Sequence, residues 1–153
     1  MNVLGIGPLL ALVGGSALLA VLVLHIAFGI TVTLPSDGQN AFRVIGTVLC
    51  AIGLGFWISS VDVVSRAFKE HHLVTSGVYR LSRNPLYSAF IVFIIPGIAL
   101  LTGNLLILVV TGCMFVCFKL QIHKEEEYLR RGFGDEYIKY ARKVAQLIPF
   151  VRI

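Results

Sequence analysis

Charge is what this sequence has least of. Asp, Glu, Lys and Arg make up 14% of its 153 residues, while 57% are hydrophobic. A water-soluble domain carries about a quarter charged residues. The composition therefore excludes an ordinary soluble fold and makes lipid the main solvent, in keeping with a mean hydropathy of +0.87. Cysteine is scarce as well. Cys50, Cys113 and Cys117 all lie in apolar runs, with no CxxC pair and no histidine at a matching spacing. Neither a disulfide framework nor a zinc site is expected there, so no metal is expected and the three read as small buried hydrophobes. Also missing is a basic stretch ahead of the first apolar run, which is itself too long for the core of a signal peptide. It reads as a mature membrane helix. No internal repeat or low-complexity segment is present.

What is there is long apolar segments. A spanning helix needs about 20 apolar residues, and Leu9 to Ile30 supplies one, polar only at Ser16 and His25. The stretch "TLPSDGQN" (33–40) carries turn formers, and Val44 to Val61 supplies a second helix ending near Asp62. Leu86 to Phe118 contains no charge and exceeds one crossing. Its central "TGN" (102–104) predicts a tight turn and an antiparallel helical hairpin, with Pro96 kinking the first arm. Arms of about 16 residues would rise about 24 Å at 1.5 Å per residue, short of a hydrocarbon core of about 30 Å.

The placement of positive charge gives an orientation. All Lys and Arg except Arg43 lie within 62–85 or from Lys119 onward, and the positive-inside rule sets both segments in the cytoplasm. The fold expected is an all-α integral membrane protein with four transmembrane helices, the last two a hairpin, both termini inside and C-terminal cytoplasmic helices. Past Lys119 the pairs Glu126–Arg130, Glu127–Arg131 and Asp135–Lys139 have the acid-first i,i+4 order of a helix. Gly132 and Gly134 interrupt that helix, and Asp135 can cap a second short one. Tyr137, Tyr140, Leu147 and Phe150 suit the membrane interface. The pI of about 9.4 is explained by orientation and anionic headgroups, so nucleic acid is not an expected partner.

A hairpin returns to the side where it began. It would therefore bring "HHLVTSGVYRLSRNPLY" (71–87) against the segment that starts at Lys119. From one side come His71, His72, Tyr79, Arg83, Asn84 and Tyr87, and from the other Gln121, His123 and Glu125 to Glu127. Polar groups beside lipid are costly unless paired or used. Singly, each has a structural explanation: Arg80 and Arg83 as anchors, the glutamates as a solvated face, Asn84–Pro85 as a helix start.

Together these residues resemble the isoprenylcysteine carboxyl methyltransferase family, whose wider group includes the phospholipid N-methyltransferases. The likeness covers 66–150, with "HHLVTSGVYRLSRNPLY" and "KEEEYLRRGFGDEYIKYARKVAQLIPF" in the family's order. The resemblance implies an integral membrane enzyme that uses S-adenosyl-L-methionine (SAM) on a lipophilic small molecule or lipid. It divides residues 1–153, taken as one membrane domain, into two N-terminal transmembrane helices (1–62) and a cofactor-binding loop, hairpin and C-terminal helices (63–153). Carried over, the cofactor-binding positions are His71, His72, Leu73, Val74, Tyr79, Asn84, Pro85, Leu86, Tyr87 and Glu125. Arg83 and Glu126 would sit nearest the reacting groups as catalytic residues.

Two departures bear on the acceptor. The family's R-H-P reads R-N-P here, with Asn84 unable to titrate. Its substrate-side arginine, four residues before Glu125, is Gln121, which takes away the natural partner of a carboxylate. Lys119 or Lys124 would supply a charge without bidentate geometry. An isoprenylcysteine-like carboxylate and a lipid amine both remain open as acceptors. A carboxylate needs no general base, whereas an amine must lose a proton to Glu126 or a histidine. Two other classes stand beside this one: an NADPH-dependent membrane reductase of the sterol-reductase type, and a noncatalytic lipid-binding membrane protein. Binding of SAM, NADPH or neither separates them.

Overall fold

The computed structural model describes residues 5–35, 37–70, 72–149 and 151, excepting the side chains of 62 and 64–70. Four helices account for most of them: α1 (Gly7–Phe28), α2 (Gln39–Glu70), α3 (Pro85–Thr102) and α4 (Leu108–Lys143). All four contain stretches long and apolar enough to cross a membrane. Among the described residues the only β-type pairing is one antiparallel bridge between Thr33 and Asn104. There Leu105 N–H donates to the Val32 carbonyl (2.7 Å) and Leu34 N–H to the Gly103 carbonyl (3.0 Å). The α1–α2 connection is thus tied to the α3–α4 turn.

The helices pack in pairs, α1 along α4 and α2 along α3. The second contact is the closer. A Cβ on Gly46 would lie 2.7 Å from the Gly97 carbonyl, and one on Gly97 would lie 2.6 Å from Cys50 Sγ. Small residues let the backbones touch, which is how helices associate where no hydrophobic force separates protein from solvent. The main core lies between α1, α3 and α4 and includes Leu10, Val21, Ile91, Val110, Met114, Phe118 and Ile122. On the outer faces large side chains stay uncovered, for instance Ile26 at 79% and Leu12 at 69% exposure, as expected where lipid is the solvent. Cys113 is likewise exposed, and Cys50 and Cys117 are half-buried. The expectation that all three are buried fails because an outward-facing apolar residue has no need of an interior here.

The boundaries differ most from those the sequence predicts in α2 and α4. α2 begins at Gln39 and runs on to Glu70, past the expected stop near Asp62. α4 continues far beyond Phe118, because the polar residues that follow favour a helix as much as apolar ones do. At 1.5 Å per residue its 36 residues would extend about 54 Å if straight, well over a hydrocarbon core of about 30 Å. Its one break is Gly134, at φ 53°, ψ −127°. That φ is open to glycine and strained for other residues; Gly132 stays helical. In α3, Pro96 acts through the turn ahead of it. Residues Ala89–Ile94 form a π-helical segment, in which Ile95 N–H bonds to the Phe90 carbonyl five residues back. Proline has no N–H and crowds the carbonyl four residues earlier, so the ladder widens and restarts.

Candidate active site

The loop between α2 and α3 is built around hydroxyls. Gly77–Arg80 form one 3-10 turn, and Pro85, fully buried, starts α3. Ser82 and Ser88, both wholly buried, join their hydroxyls at 2.8 Å across the Arg83–Tyr87 turn. The strand of chain after α4 then lies against this turn. Arg83 N–H donates to the Ala145 carbonyl (2.8 Å), Asn84 Nδ2 to the Gln146 carbonyl (2.9 Å) and Ser88 Oγ to the Leu147 carbonyl (2.5 Å). Each of these donors is satisfied by a backbone carbonyl, so the turn is tied to the chain that follows α4.

α4 supplies the other half. Tyr87 Oη donates to Glu125 Oε1 at 2.9 Å, and the Tyr87 ring meets Phe118 edge-on, with centroids 5.7 Å apart. The Ile6 N–H, at the entrance to α1, also donates to Glu125 Oε1. Arg83 Nη1 pairs with Glu126 Oε1 at 2.8 Å and reaches Tyr137 Oη at 3.4 Å. Gln146 Nε2 donates to the same Glu126 oxygen at 2.9 Å. Of the three i,i+4 pairs read from the sequence, Glu127–Arg131 forms, whereas Glu126 turns instead to Arg83 and Gln146. Arg83 keeps one buried N–H, on Nε, without an acceptor among the described residues.

Tyr137 and Tyr140 do not lie out on an interface. They are buried with Leu73 in a second, smaller core, and Tyr140 Oη donates to the Tyr79 carbonyl at 2.7 Å. Leu147, 4% exposed, belongs to the main core. The Gly134 break lets the last turns of α4 fold back onto 73–83, which buries these rings instead of leaving them to lipid. Tyr79 is half-buried, and its phenol is pushed up to about 12, first by burial and then by the charge of Glu125. It therefore stays protonated at any physiological pH.

The remaining candidates are more dispersed. His71, like Phe150, falls outside the described residues. His72 is exposed, and Val74 and Leu86 are half-buried. Gln121 lies one turn before Glu125 and ends an apolar groove of about 700 Å³ that Leu9 shares with Val109, Cys113 and Val116. The polar residues the sequence reading passed over are Ser82, Ser88 and Gln146. Two serines flanking R-N-P-L-Y were a weak local signal, and Gln146 lay within the second quoted stretch without being singled out.

Comparison with known proteins follows the same residues. The phospholipid methyltransferase family model matches 42–136. A probable protein-S-isoprenylcysteine O-methyltransferase of Oryza sativa subsp. indica is 34% identical over 116 residues, covering 70% of this chain and 61% of the relative. Protein-S-isoprenylcysteine O-methyltransferase B of Arabidopsis thaliana is 36% identical over 84 residues, 54% of this chain and 43% of the relative. The Schizosaccharomyces pombe protein-S-isoprenylcysteine O-methyltransferase is 37% identical over 90 residues, 58% and 38%. The chain thus spans at most 61% of the length of these relatives. The family match takes in nearly all of α2, the Arg83–Tyr87 turn and Glu125–Glu126 on α4, the very segments that meet in the structure, and the chain belongs to the phospholipid methyltransferase family.

Proposed function

We propose that this integral membrane protein transfers a methyl group from SAM to a lipophilic acceptor at the cytoplasmic membrane face. The observation that carries the reading is the meeting of Tyr87 with Glu125 and of Arg83 with Glu126, in a chain of this family, where four apolar helices give way to polar chain. The orientation rests on the sequence positions of the basic residues, all of which except Arg43 lie within 62–85 or from Lys119 onward. The last two helices act as the hairpin that returns the chain there.

The donor set fits SAM. The buried Arg83 Nε, without an acceptor among the described residues, suits a ligand carboxylate, which is expensive to leave without a donor in a dry site. Glu125 can accept from a ribose hydroxyl or an amino group, and the Tyr79 and Tyr87 rings offer π faces to a cation. When bound, SAM supplies a cationic sulfonium whose methyl is already activated. The protein's task is then to align the acceptor and exclude water. Arg83 and Glu126 stand next to that position as the catalytic pair. With an amine acceptor, Glu126 takes the proton; with a carboxylate it is not needed as a base.

The acceptor's lipophilic character is supported by the groove that ends at Gln121, of a size that holds small ligands, and by relatives named for isoprenylcysteine. Gln121 would meet the head group with a carboxamide. The test is calorimetric binding of S-adenosylhomocysteine to detergent-purified protein, beside Tyr87→Ala and Glu125→Ala. Micromolar binding abolished by both changes supports the site. Binding of NADPH in place of S-adenosylhomocysteine, or of neither, would overturn it.

A further inference from the structure

Gln146 lies beyond the family match, which ends at 136, yet it touches both halves of the site. Its backbone belongs to the turn: the Gln146 carbonyl accepts from Asn84 Nδ2 at 2.9 Å, between the bonds that its neighbours Ala145 and Leu147 make to Arg83 and Ser88. Its side chain belongs to α4. Oε1 accepts from Lys119 Nζ at 2.9 Å and Nε2 donates to Glu126 Oε1 at 2.9 Å. That orientation of the carboxamide is set by chemistry. An ammonium can only donate and an ionised carboxylate can only accept, so the oxygen must face Lys119 and the NH₂ must face Glu126.

Arg83 and Gln146 therefore converge on one oxygen of Glu126, and the distance between the turn and α4 is set by a residue bonded to both. We propose that Gln146 is a positioning residue for the methyl-transfer site, holding Glu126 through Oε1 so that Oε2, which takes no partner among the described residues, is the oxygen for a bound ligand. This rests on the functional reading above. It gives the chain after α4 a part in the site, which no residue within 42–136 reveals.

Two substitutions test it by different routes. Gln146→Met keeps the length and removes both hydrogen bonds. Gln146→Glu keeps the bond to Lys119 and sets a second carboxylate against Glu126. Among the described residues, the other charged or titratable groups facing Glu126 are Arg83, Glu125, Tyr137 and, through Gln146, Lys119. Like charges at that distance cannot both ionise cheaply, so one takes a proton as pH falls. The expected result for Gln146→Glu is a lowered melting temperature at pH 8 that recovers toward wild type at pH 5.5. Its S-adenosylhomocysteine Kd should rise about tenfold at pH 8 and recover in parallel. Gln146→Met should weaken binding by a similar factor at both pH values, with no recovery.

A pH-independent melting temperature in Gln146→Glu would overturn the contact. A pH-dependent melting temperature with wild-type S-adenosylhomocysteine affinity in both variants would overturn the positioning role. Wild-type protein that binds no S-adenosylhomocysteine would overturn the reading it rests on, and the positioning role with it, while the melting curves still report on the contact.

Discussion

Tyr87 and Glu125, 38 residues apart in sequence, are joined by a 2.9 Å hydrogen bond from the phenol to the carboxylate. The bond ties the first turn of α3 to the polar part of α4. Glu125 receives its second hydrogen bond from the Ile6 N–H, so three separate parts of the chain meet on one oxygen.

That arrangement separates two effects of substitution. Tyr87→Phe removes the hydroxyl and leaves the ring on Phe118, at a cost of about 1 kcal/mol for one hydrogen bond. Tyr87→Ala also removes the ring, and large-to-small changes at packed aromatics cost about 3–5 kcal/mol. Thermal melts should rank wild type, Phe, Ala in that order. S-adenosylhomocysteine affinity should already fall in the Phe variant if the hydroxyl orients Glu125.

The arginine pairs of Glu126 and Glu127, one with Arg83 of the α2–α3 loop and one with Arg131 within α4, should differ in worth. Arg83 and Glu126 are 14% and 25% exposed, whereas Arg131 and Glu127 are 77% and 58% exposed. A double-mutant cycle on Arg83 and Glu126 should give a coupling of about 1–3 kcal/mol. The same cycle on Glu127 and Arg131 should give about 0.5 kcal/mol or less, because water screens it. Arg83→Lys should recover little of the first coupling, since an ammonium cannot reach Glu126 and Tyr137 with fixed geometry.

Gly97→Val should prevent normal packing. Its Cβ would sit 2.6 Å from Cys50 Sγ and 2.9 Å from the Gly46 carbonyl, with backbone as one neighbour, and crowding of this kind costs about 1–3 kcal/mol or more. Gly112→Ala, where an added Cβ meets nothing within 4 Å, should leave the melting temperature near wild type. Size-exclusion profiles and melts in the same detergent compare the two.

Alkaline stability should report on Tyr79. Its ordinary value of 10.0 is raised in the folded protein to about 12, so the stabilisation is whole below pH 10. It is lost as pH climbs through about 12, because the unfolded chain ionises first. Melting temperatures followed from pH 9 to 12 should decline less steeply in Tyr79→Phe than in wild type. An equal decline would mean that Tyr79 titrates normally.

The sequence alone determined the elements and the meeting of the two polar segments. Apolar runs of spanning length, the turn at Thr102–Asn104 and the R-N-P-L-Y and E-E-E-Y-L stretches were legible because each depends on residues close together in the chain. Glu127 takes the Arg131 that helical spacing offers, but the partners of the buried polar groups were decided only by the tertiary structure. Helical spacing offered Glu126 the nearby Arg130, yet it pairs with Arg83 and Gln146. Tyr137 and Tyr140, amphipathic enough for an interface, are buried instead against Leu73. The physical reason is common to both. The chain after Gly134 docks on the Ser82–Ser88 turn chiefly through the backbone carbonyls of Ala145, Gln146 and Leu147. Every residue carries such a carbonyl, so no pattern of side chains announces that contact in advance.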